Sequence, residues 1–369
     1  MERPLFKPIG TPVQELDTPA LVVDLDVLEH NIETLHAFFR QHEAKVRPHV
    51  CVHRCPAIAH KQLAAGGTVG GICVTTVGEA EAFAQSGFSD ICVANEIVTP
   101  QKISRLCGLA RTARITVAAD SPKNIHDLSE AARHSGVTLH VLVDIHTGLD
   151  RCGVEPGGAA VALARAVSKA QNLHFAGLMT YEGAILKDDP EETVAESRRW
   201  IQLVLDTREL VERDGLAVEV VSVGGTHNYE IAGAMPGVTE VPAGAYALMD
   251  ERYRRGRPQL KPAARVMATV ISRPEVGLAL LDAGQKAIGA DTGVPVAEDI
   301  PGATLTRMSA EHGFLELEGE AQERVALGAK VWLTPRDIGN CVNVYDYISA
   351  VRGGVLEAVW NVAARGRYR

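Results

Sequence analysis

The run Gly71-Ile72-Cys73-Val74-Thr75-Thr76-Val77-Gly78-Glu79-Ala80-Glu81-Ala82-Phe83-Ala84-Gln85-Ser86-Gly87-Phe88-Ser89-Asp90-Ile91-Cys92-Val93-Ala94 reads as strand, helix, strand. Two short apolar runs, 71–74 and 91–94, bracket a helical segment at 77–86. Such a unit makes parallel strands, because a helical crossover returns the chain to the same edge of the sheet. The alternation extends in both directions. Upstream, 20–25 reads as a strand and Asp26 as the cap of a helix that places Leu28, Ile32, Leu35 and Phe39 on one face. Residues 46–52 read as the next strand and 56–65 as a helix. Downstream, apolar strands at 115–118, 139–143, 175–179 and 218–223 continue the pattern. About eight such repeats predict an α/β fold, a parallel (β/α)8 barrel rather than an open sheet. No Gly-rich dinucleotide fingerprint follows the first strand.

The texture changes after residue 255. Runs 265–272, 278–282, 314–317 and 330–333 look like short strands separated by Gly and Pro, and helical periodicity nearly vanishes. The expected division is a barrel over 20–255 and a C-terminal β-domain over 256–369, with residues 1–19 as an arm packed on the latter. A net charge of −9 without long basic runs argues against nucleic acid or an anionic membrane as partner. No apolar run reaches the ~18 residues of a spanning helix, and the N-terminus lacks the apolar core of a signal peptide. The odd count of seven cysteines, without disulfide-like rhythm, points to reduced thiols in a cytoplasm. The expected partner is a small molecule.

Barrel enzymes carry their chemistry at the C-terminal ends of the strands. Three segments fit. In Arg47-Pro48-His49-Val50-Cys51-Val52-His53-Arg54-Cys55-Pro56, a strand would point His49, Cys51, His53 and Cys55 to one face. Imidazole and thiolate suit zinc, copper or iron. A straight strand nevertheless separates His49 from His53 by ~13 Å, so one ion takes only two neighbours of the set. A buried thiol beside hydrogen-bonded histidines is the alternative. In Asp144-Ile145-His146-Thr147-Gly148-Leu149-Asp150-Arg151-Cys152-Gly153, a strand runs into a polar turn. There Arg151 either holds an anion or ring nitrogen or clamps an aspartate, and His146 is a candidate acid/base. Ser222-Val223-Gly224-Gly225-Thr226-His227, with Gly244-Ala245-Tyr246, offers backbone N–H groups as a phosphate or carboxylate cradle, or simply two tight turns. A fourth polar cluster lies in the β-domain at Glu311-His312-Gly313 and 335–346.

Together these segments resemble the D-threonine aldolase / D-serine dehydratase-like family, a branch of the alanine-racemase-like (fold type III) pyridoxal phosphate (PLP) enzymes. Further matches are Thr18-Pro19-Ala20, Val77-Gly78-Glu79-Ala80, Asn95-Glu96, Tyr181-Glu182-Gly183, Asp282-Ala283-Gly284 and Asn343. The resemblance implies a PLP-binding barrel with a β-domain, in a homodimer. It implies Arg151 at the pyridine nitrogen, Gly225, Thr226, Gly244, Ala245 and Tyr246 around the phosphate, and Tyr181 beside the substrate. Three departures stand against it. The Schiff-base lysine corresponds to Cys51. The metal-binding His and Cys or Asp correspond to Asp337 and Gly339, of which only Asp337 has a donor. A His found in some aldolases is Ala184. The expectation is therefore a lyase-like enzyme acting on a small amino-acid-like substrate without the usual aldimine. Its catalytic candidates are Cys51, His49, His53, His146 and Tyr181. The cofactor stays open between non-covalent PLP and a divalent or transition metal ion, with Asp337 and His312 as metal candidates. The alternatives are a binding protein without turnover, or a PLP lyase that uses another lysine, with Lys286 as the candidate.

Overall fold

The computed structural model describes residues 6–182, 189–254 and 256–369. The chain forms two compact units. One comprises Met1–Thr34, Val52–Ile58 and Ala245–Gly366; the other comprises Leu35–Cys51, Ala59–Gly244 and Arg367–Arg369. The first strand, β1 (Ala20–Asp24), leads into helix α1 (Leu25–Gln41), on which Leu28, Ile32, Leu35 and Phe39 are buried at helical spacing.

The second unit is the barrel. Its strands are β2 (Lys45–Pro48), β3 (Ile72–Val74), β4 (Asp90–Glu96), β5 (Arg114–Ala119), β6 (Leu139–Asp144), β7 (Leu173–Met179), β8 (Val220–Ser222) and β9 (Glu240–Ala243). They lie in the order β2-β9-β8-β7-β6-β5-β4-β3. Parallel bridges Val46↔Thr68 and His49↔Cys73 join the two ends of this row, which makes it a nearly closed ring. Each strand is almost continuously buried, as expected for parallel strands covered on both faces. Cys73, Cys92, Ala118, Leu142, Ala176 and Met179, from successive strands, pack as one buried cluster. Below them Arg47 donates to Glu240 and to Asp90, both at 2.8 Å, close to the N-terminal ends of the strands. A guanidinium this buried is tolerated because carboxylates meet it on two sides.

The crossover helices start and stop where local chemistry dictates. Thr76 caps the helix Val77–Ala84 by accepting the Glu79 N–H, and Ser121 caps Pro122–Ser135 through the Asn124 N–H. The latter helix ends at Gly136, whose φ of 64° is left-handed.

The first unit is built on a nine-stranded sheet. Its later strands are β10 (Ala264–Glu275), β11 (Leu278–Leu281), β12 (Val296–Ala297), β13 (Ala303–Met308), β14 (Gly313–Leu317), β15 (Lys330–Thr334), β16 (Tyr347–Arg352) and β17 (Val355–Asn361). The main path is β13-β14-β11-β10-β1-β16-β17, with β15 on β10 and β12 on β15. β1 runs antiparallel to β10, with Ala20 opposite Met267, and parallel to β16, with Val22 opposite Ser349. This departs from the sequence reading, which made 20–25 the first barrel strand and put a boundary at 255. β1 is an apolar run buried in its middle, and such a run carries no mark of which sheet it will join. Val13 and Leu16 pack with Val22, Met267, Val351 and Leu356 in one cluster of this unit.

Among the described residues no helix is long and apolar enough to cross a membrane. No disulfide forms among the seven cysteines.

Candidate active site

The segment after β2 does not continue as a strand. His49 still bridges to Cys73, and its N–H reaches the Ala243 carbonyl at 2.8 Å, but residues 50–53 form a turn. The expected alternation of His49, Cys51, His53 and Cys55 on one face is therefore broken. The cause is local: each histidine folds back on the chain. Nδ1 of His53 accepts the Cys55 N–H at 3.1 Å, and Nδ1 of His49 lies 3.4 Å from the Cys51 nitrogen. An Nδ1 that accepts belongs to a neutral ring with its proton on Nε2. Its lone pair is then engaged by the backbone, so His49 is poorly placed to activate the thiol it precedes. His53 and Cys55 are fully buried, and burial pushes the Cys55 thiol up to about 11. Cys51 is half-buried in the turn. Gly244 stands beside this strand end, where a Cβ would lie 2.4 Å from the His49 carbonyl oxygen, so close backbone approach alone requires glycine there.

Across the ring, acidic side chains converge at the C-terminal ends of the strands. Asp144 ends β6 and Glu96 ends β4; a register shift between Val93 and Glu96 re-aims the latter. Asp120 follows β5 and accepts the Gly153 N–H at 3.2 Å. Burial pushes the Asp144 carboxyl up to about 8, and the charge and hydrogen bond of Glu96 add to this against the opposing pull of Arg151. Asp144 therefore keeps its proton near neutral pH. Burial, and then a hydrogen bond with Glu96, also raises the Cys152 thiol to about 11, so it is protonated at neutral pH.

The loop after β6 is pinned by its backbone. The His146 N–H reaches the Val154 carbonyl at 2.8 Å and the Val154 N–H reaches Asp144 at 2.9 Å. Gly153, at φ 108°, sits where a Cβ would come within 2.5 Å of the His146 nitrogen. Asp144, His146, Arg151, Cys152, Thr180 and Tyr181 line a crevice of about 10 Å³, the room of a single water. The Arg151 guanidinium lies over the Tyr181 ring, 5.6 Å from its centroid. His146 is at the rim, 3.6 Å from Asp150 and 3.7 Å from Glu155. The structure thus brings together three of the sequence candidates, His146, Arg151 and Tyr181. It adds Asp144, Glu96 and Cys152, whose only signal in the sequence is that polar residues end or follow apolar strands.

The Gly-Gly-Thr segment also departs from expectation. Two N–H groups expected to face a ligand are donated internally: Gly224 to Glu182 at 3.1 Å and Gly225 to Asn228 at 2.9 Å. Asn228 in turn donates to Glu182 at 2.8 Å. Glu182 is wholly buried, and burial raises its carboxyl against the lowering effect of these bonds. A Cβ on Gly225 would meet the Tyr181 ring at 3.0 Å, so glycine lets the ring lie on the loop. Thr226 is buried in the barrel unit, while Ala245 and Tyr246 are buried in the β-unit. Gly183 and Ala184 lie outside the described residues. Glu182→Gln turns one buried acceptor into a donor facing a donor. The expected cost is about 1–3 kcal/mol, read as a lower urea midpoint with an unchanged slope; an unshifted midpoint would show that this network does not hold the loop.

In the β-unit, Asp337 caps the one-turn helix Ile338–Val342, its Oδ1 accepting the Asn340 N–H at 2.9 Å. His312 is exposed in a turn, its N–H donated to Ser309 at 3.1 Å. Among the described residues no group of three or more His, Cys, Asp or Glu is assembled to hold a metal ion. Asp337 and Gly339 therefore do not fit the metal pair that the resemblance implies. Among the described residues the fit to covalently held PLP also fails. Cys51 has no amine, Lys45 opens β2 at the opposite end, and Lys61, Lys102, Lys123 and Lys169 lie in helices. No described lysine of the barrel unit stands at a strand's C-terminal end. Lys286, in the β-unit, is exposed and paired with Glu311.

Comparison with known proteins agrees with this architecture. The family model described as "Alanine racemase, N-terminal domain" matches residues 23–251, and "Putative serine dehydratase domain" matches residues 263–351. A D-threonine aldolase of an Arthrobacter species is 36% identical over 362 residues, 97% of this chain and 95% of that protein. The crystal structure of D-threonine aldolase from Filomicrobium marinum superposes with a TM-score of 0.93 at 38% identity, covering 98% of this chain and 99% of that one. A D-threo-3-hydroxyaspartate dehydratase, as a cysteine-to-alanine mutant in the metal-free form, gives a TM-score of 0.83 at 28% identity, covering 95% and 98%.

Proposed function

Because the chain belongs to the D-threonine aldolase / D-serine dehydratase-like branch of the alanine-racemase-like, fold type III family, we propose that it acts as a lyase on a small β-hydroxy amino acid. In this reading the protein's own acid and base groups replace the internal aldimine. The observation that carries it is the cavity at the strand ends, lined by Asp144, Cys152 and Arg151 with Glu96 beside them. Arg151 offers a fixed positive charge to the substrate carboxylate. Asp144, which burial and the neighbouring Glu96 keep protonated near neutral pH, offers an acid, and the Glu96 carboxyl beside it is the candidate base, the pairing that lyase chemistry on a β-hydroxyl needs. Cys51 supplies a thiol at the mouth of the first barrel strand.

A second reading, binding without turnover, is favoured by the missing amine at residue 51, since no group here stands in for the electron sink that an aldimine provides. The discriminating experiment is NMR of the protein with D-threonine or D-threo-3-hydroxyaspartate, without and with added PLP. Consumption without PLP that is lost in Asp144→Asn supports the first reading. Line broadening without consumption supports the second. Consumption only with PLP, with a lysine trapped by borohydride, overturns both.

A further inference from the structure

We propose that the β-unit carries a resident cation, the Arg54 guanidinium, clasped to the very segment where the resemblance places metal ligands, and that this unit takes no divalent ion there. Arg54 Nη1 donates to the Gly339 carbonyl at 2.8 Å. The Arg54 backbone is itself anchored, its carbonyl accepting the Ala364 N–H at 3.2 Å and its φ held at 49°. The half-buried arginine is thus fixed from both its backbone and its head group.

Each feature that a divalent ion would need is already committed. The Asp337 carboxylate already caps the helix Ile338–Val342, its Oδ1 accepting the Asn340 N–H. Gly339 has no side-chain donor, and its carbonyl is occupied by the guanidinium. A Cβ at this position would point at Asp337 Oδ1, 3.3 Å away, with Val52 Cα at 3.7 Å. The space between residues 337 and 339 is therefore small and already facing a carboxylate that is in use. Arginine stays charged at any working pH and repels an approaching dication at short range.

The test uses the full chain. Protein is gel-filtered after EDTA treatment, equilibrated with Mn²⁺, Co²⁺ or Zn²⁺, filtered again and analysed by atomic emission. The expected result is metal far below one ion per chain and a melting temperature indifferent to EDTA or ion. One ion per chain that is lost in Asp337→Asn would overturn the proposal. Arg54→Met tests the clasp separately, because a charged donor to the Gly339 carbonyl disappears. Its melting temperature should fall by about 4 °C, equally with and without EDTA. An Arg54→Met chain as stable as the parent removes the clasp, and neither readout depends on catalytic activity.

Discussion

Cys51→Lys should give a chain that holds PLP covalently, one cofactor per chain, where the parent is expected to hold none. A thiol adds reversibly to an aldehyde, but only a primary amine can go on to lose water and form an imine. Residue 51 sits in the turn that follows β2, half-buried rather than packed in the core. A longer side chain can therefore extend into the mouth without displacing Val50 or Cys55, which are fully buried. The measurement is a borohydride-sensitive absorbance band and, after reduction, a phosphopyridoxyl mass on the peptide containing residue 51. The parent chain should show neither. A trapped lysine in the parent would sink the claim that the barrel has left imine chemistry. Failure of the variant to trap PLP would mean that the loss extends past residue 51, to the Gly224 and Gly225 N–H groups that Glu182 and Asn228 already occupy.

The second large effect concerns Asp144. Its carboxyl is raised in the folded state from 3.8 to about 8, by burial first and by Glu96 next. A raised carboxyl binds its proton more tightly when folded. The stability it contributes is complete below pH 3.8 and is lost progressively as the pH rises through about 8. At 1.36 kcal/mol per pH unit this is on the order of 5 kcal/mol at most. Asp144→Asn keeps the shape and has no proton to lose. Urea unfolding at pH 5 and at pH 8.5 should show the parent losing ~3 kcal/mol more than the variant between the two. Parallel losses would show that the Asp144 carboxyl is not raised in the folded state. Asp250 also titrates in this range, raised to about 6 by burial first, but it is common to both chains and cancels in the comparison.

The barrel was legible in the sequence because buried parallel strands are short, continuous apolar runs and the helices between them have a different period. What could not be read was pairing. β1 looks like any barrel strand, yet its partners, β10 and β16, come from the far end of the chain. The acidic cluster was hidden for a similar reason: Glu96 and Asp144 come together only because β4 and β6 lie on either side of β5 in the sheet. The turn at 50–53 was misread as strand because nothing in His-Val-Cys-Val-His announces that each imidazole will accept an N–H two residues ahead. The Gly-Gly segment read either as a ligand cradle or as tight turns, since its internal acceptors, Glu182 and Asn228, are remote from it or follow it in sequence. The absences at residues 51 and 339 were visible from the start, because a missing side chain needs no fold to be noticed.

The placement of β1 has a consequence for how the molecule is made. Ala20 must wait for Met267, and Val22 for Ser349, before either finds its hydrogen-bonding partner. During synthesis the eight barrel strands, all complete by Ala243, can close first. Meanwhile Leu21, Val22 and Val23 leave the ribosome early with no sheet to join. A nascent chain carrying an apolar strand with two open edges invites association with its neighbours. The slow step in reaching the native state is then the late return of the C-terminal third to the first strand. A fragment ending near Gly244 would carry β1 as a sticky, partnerless segment, and one beginning after Asp24 would leave a gap in the middle of the nine-stranded sheet.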